Sequence, residues 1–310
     1  MSITITGGIT ISGGGWTVAP GPSGSKAIFG YGQDGVNNLS MTNLVSNTGV
    51  VANDTTGVGT ARSALAAAGY GTDKSIFGYG ITSVNVSMTN LVSNSGVVAT
   101  DTTGVGTARR SPAAAGYGTD KAIFGYGYTT GVVSVTNLVS NTGTVAGDTT
   151  GVGTARQRLA AAGYGTDKAI FGYGIAVSTL YSLTNLVSNT GVVGNDVTGV
   201  GTIRYYLAAT GYGTDKAIFG YGFTGSVYSL TNLVSNTGVV STDTTGVGTA
   251  RGILAAAGYG SSGQAIFGYG YNGTVSLSVT NLVSNTGVVA SDTTGVGTIR
   301  YDLAAASYGS

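Results

Sequence analysis

A unit of 47 to 48 residues is copied six times along the 310-residue chain, and this repetition limits the fold more than any other feature. The string Ile-Phe-Gly-Tyr-Gly recurs with its aromatic residue at Phe29, Phe77, Phe124, Phe171, Phe219 and Phe267, at spacings of 48, 47, 47, 48 and 48. Thr-Asn-Leu-Val-Ser-Asn begins at Thr42, Thr89, Thr136, Thr184, Thr231 and Thr280. Asp-x-Thr-Gly-Val-Gly-Thr-x-Arg then ends at Arg62, Arg109, Arg156, Arg204, Arg251 and Arg300, and an alanine-rich string closes the unit. A fixed period means one small structural unit that buries its faces against its own copies.

Each unit holds four short segments. In residues 65 to 101 they are Leu65–Tyr70, Lys74–Tyr79, Val86–Val92 and Val97–Thr100, separated by Gly, Asn, Asp, Ser and Thr. Runs of this length punctuated by glycine read as strands. The Leu-Ala-Ala-Ala string favours helix intrinsically but is too short to hold one. Gly71-Thr72-Asp73-Lys74 has the chemistry of a hairpin turn. Four strands per unit and six units predict an all-β chain: a six-bladed β-propeller with four-stranded antiparallel blades. The pattern enters at Lys26, in a second strand, and leaves at Leu303 to Gly309, a first strand. Closure by pairing of the N- and C-terminal strands is therefore expected. The division expected is a strand-like extension with a Gly/Pro linker over 1–25 and the repeat domain over 26–310. A β-helix with two rungs per repeat is the alternative architecture.

The order of Arg, small apolar strand, Gly-rich turn, Ile-Phe-Gly-Tyr-Gly and a strand ending in Ser-Asn-Thr-Gly resembles a kelch repeat. The resemblance implies the propeller fold and a binding or structural module. Gly78-Tyr79-Gly80 stands where kelch repeats have a glycine doublet, and the single Trp16 lies outside the repeats. The near-identity of the units and their Gly/Thr/Ser-rich style is also similar to phage or viral structural proteins.

Composition removes much chemistry. His, Cys and Glu are absent, and the 12 acidic residues are all Asp. There is no imidazole base, no thiol or disulfide, and no usual zinc, copper or iron ligand set. The resemblance points to kelch-like oxidases among enzymes, but their copper site needs His and Cys. Sialidase-like propellers pair Tyr with a carboxylate and an Arg triad, and no polar cluster unique to one repeat suggests such a centre. The reading is a non-enzyme with no cofactor and no metal. A net charge of +1 offers no field for a phosphate backbone, so nucleic acid is not an expected partner. No apolar run reaches the length of a membrane-spanning helix. The start of the chain lacks a secretory pattern, leaving a cytoplasmic or virion-associated location as the expectation.

Differences among the copies fall in two patches. One follows the second strand and includes Tyr128, Phe223 and Tyr271; the other follows each repeat Arg and includes Arg110, Arg158, Tyr205, Tyr206, Tyr301 and Asp302. In a four-stranded blade both patches lie on one face, so this face is the predicted binding surface for a protein or glycan. Drift after duplication would give the same variation. A lectin with repeated sites between blades is the alternative function. The ring of Arg62, Arg109, Arg156, Arg204, Arg251 and Arg300 reads as structural, each guanidinium bridging carbonyls or a loop Asp. The working unit is expected to be a monomer.

Overall fold

In a computed structural model of the chain, residues 9–12, 15–18 and 25–309 are described. Of the expected N-terminal extension, Ile9–Ser12 and Gly15–Val18 form an antiparallel pair. The expected strand start before Ile9 and the linker over 19–24 lie outside the described residues.

The repeats fold into six three-stranded antiparallel sheets. One consists of Ala66–Tyr70, Lys74–Gly78 and Thr89–Val92, in that spatial order. The alanine strand of each sheet is innermost: Ala66–Tyr70, Ala113–Tyr117, Ala160–Tyr164, Ala208–Tyr212, Ala255–Tyr259 and Ala304–Tyr308 touch in that order, and the last touches the first. Small side chains suit strands that converge. Lys26–Gly30 pairs with Ala304–Tyr308 on one side and with Thr42–Val45 on the other, so this sheet draws on both ends of the repeats.

The expected kelch-like six-bladed propeller of four-stranded blades is corrected by this topology. No four-stranded antiparallel blade occurs among the described residues, and the sheet joining both ends of the repeats is three-stranded as well. The fourth segment makes only isolated bridges, Val92 with Val98 and Thr89 with Thr102. The cause is a side chain. Asn90, in the third strand and fully buried, donates Nδ2 to Ala99 O at 3.0 Å and to Asp101 Oδ1 at 2.9 Å. The amide satisfies a carbonyl that a continuous ladder would have bonded to backbone. Asn43, Asn137, Asn185, Asn232 and Asn281 do the same in their own sheets.

Between sheets the core is aromatic on glycine. A Cβ on Gly78 would sit 2.7 Å from Cζ of Phe124 in the next sheet, so that ring needs the bare backbone. Phe124 also packs on Tyr79 of the preceding sheet with centroids 5.1 Å apart, and Phe29 meets Tyr269 in the same way. Such pairs contribute about 0.5–1.5 kcal/mol beyond burial. The tyrosine holds a left-handed backbone, φ +63° at Tyr79, and turns the chain out of the strand. This costs of order 1 kcal/mol for a non-glycine residue and is held by the ring's burial.

Candidate functional site

Two sets of polar residues stand out, one repeated and one unique. In the repeated set each Arg after a Gly-Thr-x turn is fully buried. Arg109 donates Nε to Tyr126 O at 2.8 Å, Nη1 to Thr107 O at 3.1 Å and Nη2 to Asn137 Oδ1 at 2.7 Å. Its guanidinium lies 4.1 Å from the ring centre of Tyr79, in the preceding sheet. Asn137 passes the connection to Asp148 Oδ1 at 2.9 Å, and Asp148 accepts from the backbone N–H and hydroxyl of Thr107. One tie thus runs from a buried cation to a surface carboxylate and joins consecutive sheets. The equivalent tie at the junction of the chain's ends links Arg300, Asn43, Asp54 and Thr298. Burial opposes ionisation of Asp148; hydrogen bonds from Thr107 and Asn137, with the charge of Arg109, outweigh it and hold the carboxyl below its ordinary value. Burial pushes Tyr31 up to about 12 against the pull of Arg62.

The second set surrounds the axis on which the inner strands converge. The second residue after each repeat Arg is Ala64, Ser111, Arg158, Tyr206, Ile253 or Asp302, and all six have positive φ, +51° to +57°. Each donates its N–H to the carbonyl of the preceding one, from Ser111 to Ala64 at 2.7 Å round to Ala64 to Asp302 at 2.9 Å. A closed circle of backbone hydrogen bonds therefore rims this end of the axis. Leu65, Pro112, Leu159, Leu207, Leu254 and Leu303 lie beneath it, and the two rings line a partly open cavity of about 80 Å³. The opposite end carries a second circle, from Gly71 N–H to Asp120 O round to Gly309 N–H to Asp73 O. There a wider mouth of about 330 Å³ is lined by the inner-strand tyrosines, Gly69 and its equivalents, and Lys74, Lys121, Lys168 and Lys216. Each of these four lysines is paired with the Asp before it at 2.8 to 2.9 Å.

The residues predicted as an open binding face are all half-buried. The structure bridges the two variable patches to each other: Arg110 with Tyr128, Tyr205 with Phe223, Gly252 with Tyr271, and Tyr301 with Gln33. Their side chains then pack within the molecule. Arg110 stacks on Tyr128 at 4.5 Å, Tyr205 lies 5.3 Å from Tyr206 and 6.0 Å from Phe223, and Tyr271 lies 5.7 Å from Tyr301. The prediction of a variable loop face for a protein or glycan is thereby corrected. Variation at one patch is matched by packing at the other, as at Gly252, where a Cβ would run into the ring of Phe223.

Within the axial circle, Arg158, Tyr206 and Asp302 are the residues that break the repeat with chemistry. Arg158 lies 4.4 Å above the ring of Tyr206, and its Nε has no hydrogen-bond partner among the described residues. Asp302 accepts from Gln33 Nε2 at 3.1 Å. Burial pushes its carboxyl up to about 6, against Gln33 and the charge of Arg158. Burial also raises the Tyr206 hydroxyl, so it remains a neutral donor. Sequence reasoning expected no such unique cluster. Its signal was present, since Arg158 and Asp302 are the only charged residues at this position in the six copies. Gln33 lies in the variable patch after the second strand, but its role depends on a contact 269 residues away in sequence.

No group of three or more potential acidic, His or Cys metal ligands occurs among the described residues. Among those residues no helix is long and apolar enough to cross a membrane. No protein-family model matches the chain and no curated protein matches it, so neither the kelch-like assignment nor the likeness to phage or viral structural proteins gains a relative.

Proposed function

We propose that the chain is a non-catalytic structural framework that works as a single copy. The observation that carries this reading is the buried Arg–Asn–Asp–Thr tie, repeated between consecutive sheets. The repeat Arg and the Asp of each tie are committed to holding sheets together. The two circles of backbone hydrogen bonds support the same conclusion, because each links all six units and neither can open at one unit without loss. Nucleic acid is not a partner in this reading: the six repeat arginines are buried and the turn lysines are largely neutralised by their neighbours.

Native-state hydrogen exchange tests the framework directly. Amides of the inner and middle strands in all six sheets are expected to share one opening free energy, equal to that of global unfolding. One sheet exchanging through its own cheaper opening overturns the reading. Light scattering on a sizing column should return the mass of one chain. Turnover in a broad hydrolase and oxidoreductase screen, abolished by Arg158→Met, would show an enzyme instead.

A further inference from the structure

The axial cavity holds charged groups that the protein's own hydrogen bonds leave incompletely used. Its floor is the apolar ring of Leu65, Leu159, Leu207, Leu254 and Leu303, and its rim is the backbone circle. Arg158 and Asp302 both line it and make no direct ion pair with one another. The guanidinium is backed by the face of Tyr206 and has a buried, unpartnered Nε. A planar fork of N–H donors with a free edge matches the two oxygens of a carboxylate. A volume of about 80 Å³ has room for an ion of a few heavy atoms.

We propose that this cavity is a binding site for a small carboxylate of the size of formate or acetate, held by the Arg158 guanidinium with Asp302 as the second polar group of the site. The acid O–H of Asp302 donates to one ligand oxygen, while Arg158 supplies the positive charge. The ligand binds as the intact anion, with no bond made or broken. It goes beyond the framework role, which needs no ligand, and a framework without this site would be unaffected by its failure.

The site has a built-in dependence on pH. The charged and titratable groups around Asp302 are Arg158, Tyr206 and Tyr301; Arg110 and Tyr205 act on Tyr206, and Asp34 and Tyr271 on Tyr301. The tyrosines are raised by burial and remain neutral through the acid and neutral range. Asp302 is the group that changes charge near pH 6, so below that value the anion meets Arg158 without an opposing carboxylate.

Broadening of the carbon-13 resonance of labelled formate measures the binding, in buffers matched for ionic strength with chloride. The full chain is expected to bind one formate, at least about fivefold more tightly near pH 5 than near pH 7.5, a coupling ordinary for two interacting sites. Arg158→Met should abolish binding at both values, while Arg110→Met should retain it. Asp302→Asn should bind equally at both values, because the neutral amide can still donate and no longer titrates. This variant keeps the test decisive should Arg158→Met fail to fold. Absence of formate binding by the full chain, loss of binding in Arg110→Met, or a pH dependence that survives in Asp302→Asn overturns the proposal.

Discussion

The inter-sheet ties and the axial circle are built from neighbouring residues of the same repeat, yet they behave in opposite ways. Each tie uses an Arg, an Asn, an Asp and a Thr that do not vary among the six copies, and at Arg109 every guanidinium nitrogen finds its partner within the protein. Two positions further on, the axial circle keeps its backbone geometry and changes every side chain: Ala64, Ser111, Arg158, Tyr206, Ile253 and Asp302. Where a side chain holds two sheets together, the repeat cannot tolerate change. Where the backbone alone closes the ring, the side chain is free to differ. The lesson is that variation in this molecule marks positions whose structural work is done by main-chain hydrogen bonds.

The contrast can be broken most forcefully at a tie. Arg109→Met leaves Asn137 Oδ1 and Tyr126 O buried without their donor and Asp148 without its cation. It is expected to cost roughly 3–5 kcal/mol, read as a lowered midpoint in chemical denaturation. A loss below about 1 kcal/mol would mean that the ties do not hold the sheets.

The two regions should also respond to pH with opposite sign. Asp302 has a raised folded value of about 6, so the folded state binds the extra proton between its ordinary value and 6. Its ionisation costs stability as pH rises through that window, and Asp302→Asn should stabilise the chain at neutral pH by about 3 kcal/mol, with the gain fading below about pH 4. Asp54, Asp101, Asp148, Asp196, Asp243 and Asp292 are held below their ordinary value, despite burial, by Thr and Asn hydrogen bonds and Arg charge. Their contribution is present above the ordinary Asp value and is lost as pH falls through the lower folded ones. Urea titrations across acid and neutral pH separate the two. A destabilised Asp302→Asn at neutral pH would count against a strained axial carboxyl.

Gly252→Ala probes the matching of the variable pairs. The added methyl meets the Phe223 ring, and the variant should lose about 1–2 kcal/mol. The loss should shrink when Phe223→Ala is present as well, so the double-mutant cycle should show a coupling of at least about 0.5 kcal/mol. Additive losses would mean that the two patches vary independently. The smallest effect belongs to the wide mouth: Lys74→Ala removes an exposed pair with Asp73 and should leave the melting temperature unchanged.

Much of this was legible in the sequence, residue by residue. The period, the strand character of the alanine and Ile-Phe-Gly-Tyr-Gly strings, and the bridging role of the repeat Arg all follow from composition and spacing. The strand count per unit did not. Val97–Thr100 has strand-like residues, but whether it joins a ladder is settled by Asn90, whose side chain takes a carbonyl of that segment. Thr-Asn-Leu-Val appears in every copy, so the Asn was visible as constant, while its partner across nine residues was not. The variable patches are likewise visible along the chain, and their mutual packing is not, since bridges such as Tyr205 with Phe223 exist only once strands are paired.

The sequence by itself determined the repeat, the all-β character and the exclusion of His, Cys and Glu chemistry, because these depend on residue identity and local pattern. The tertiary structure decided that each sheet stops at three strands, that the variable residues face one another, and that Arg158 and Asp302 share a cavity. Those outcomes depend on which groups meet across sheets. Arg158 and Asp302 are 144 positions apart in the chain, and only the convergence of six strands on one axis brings them together.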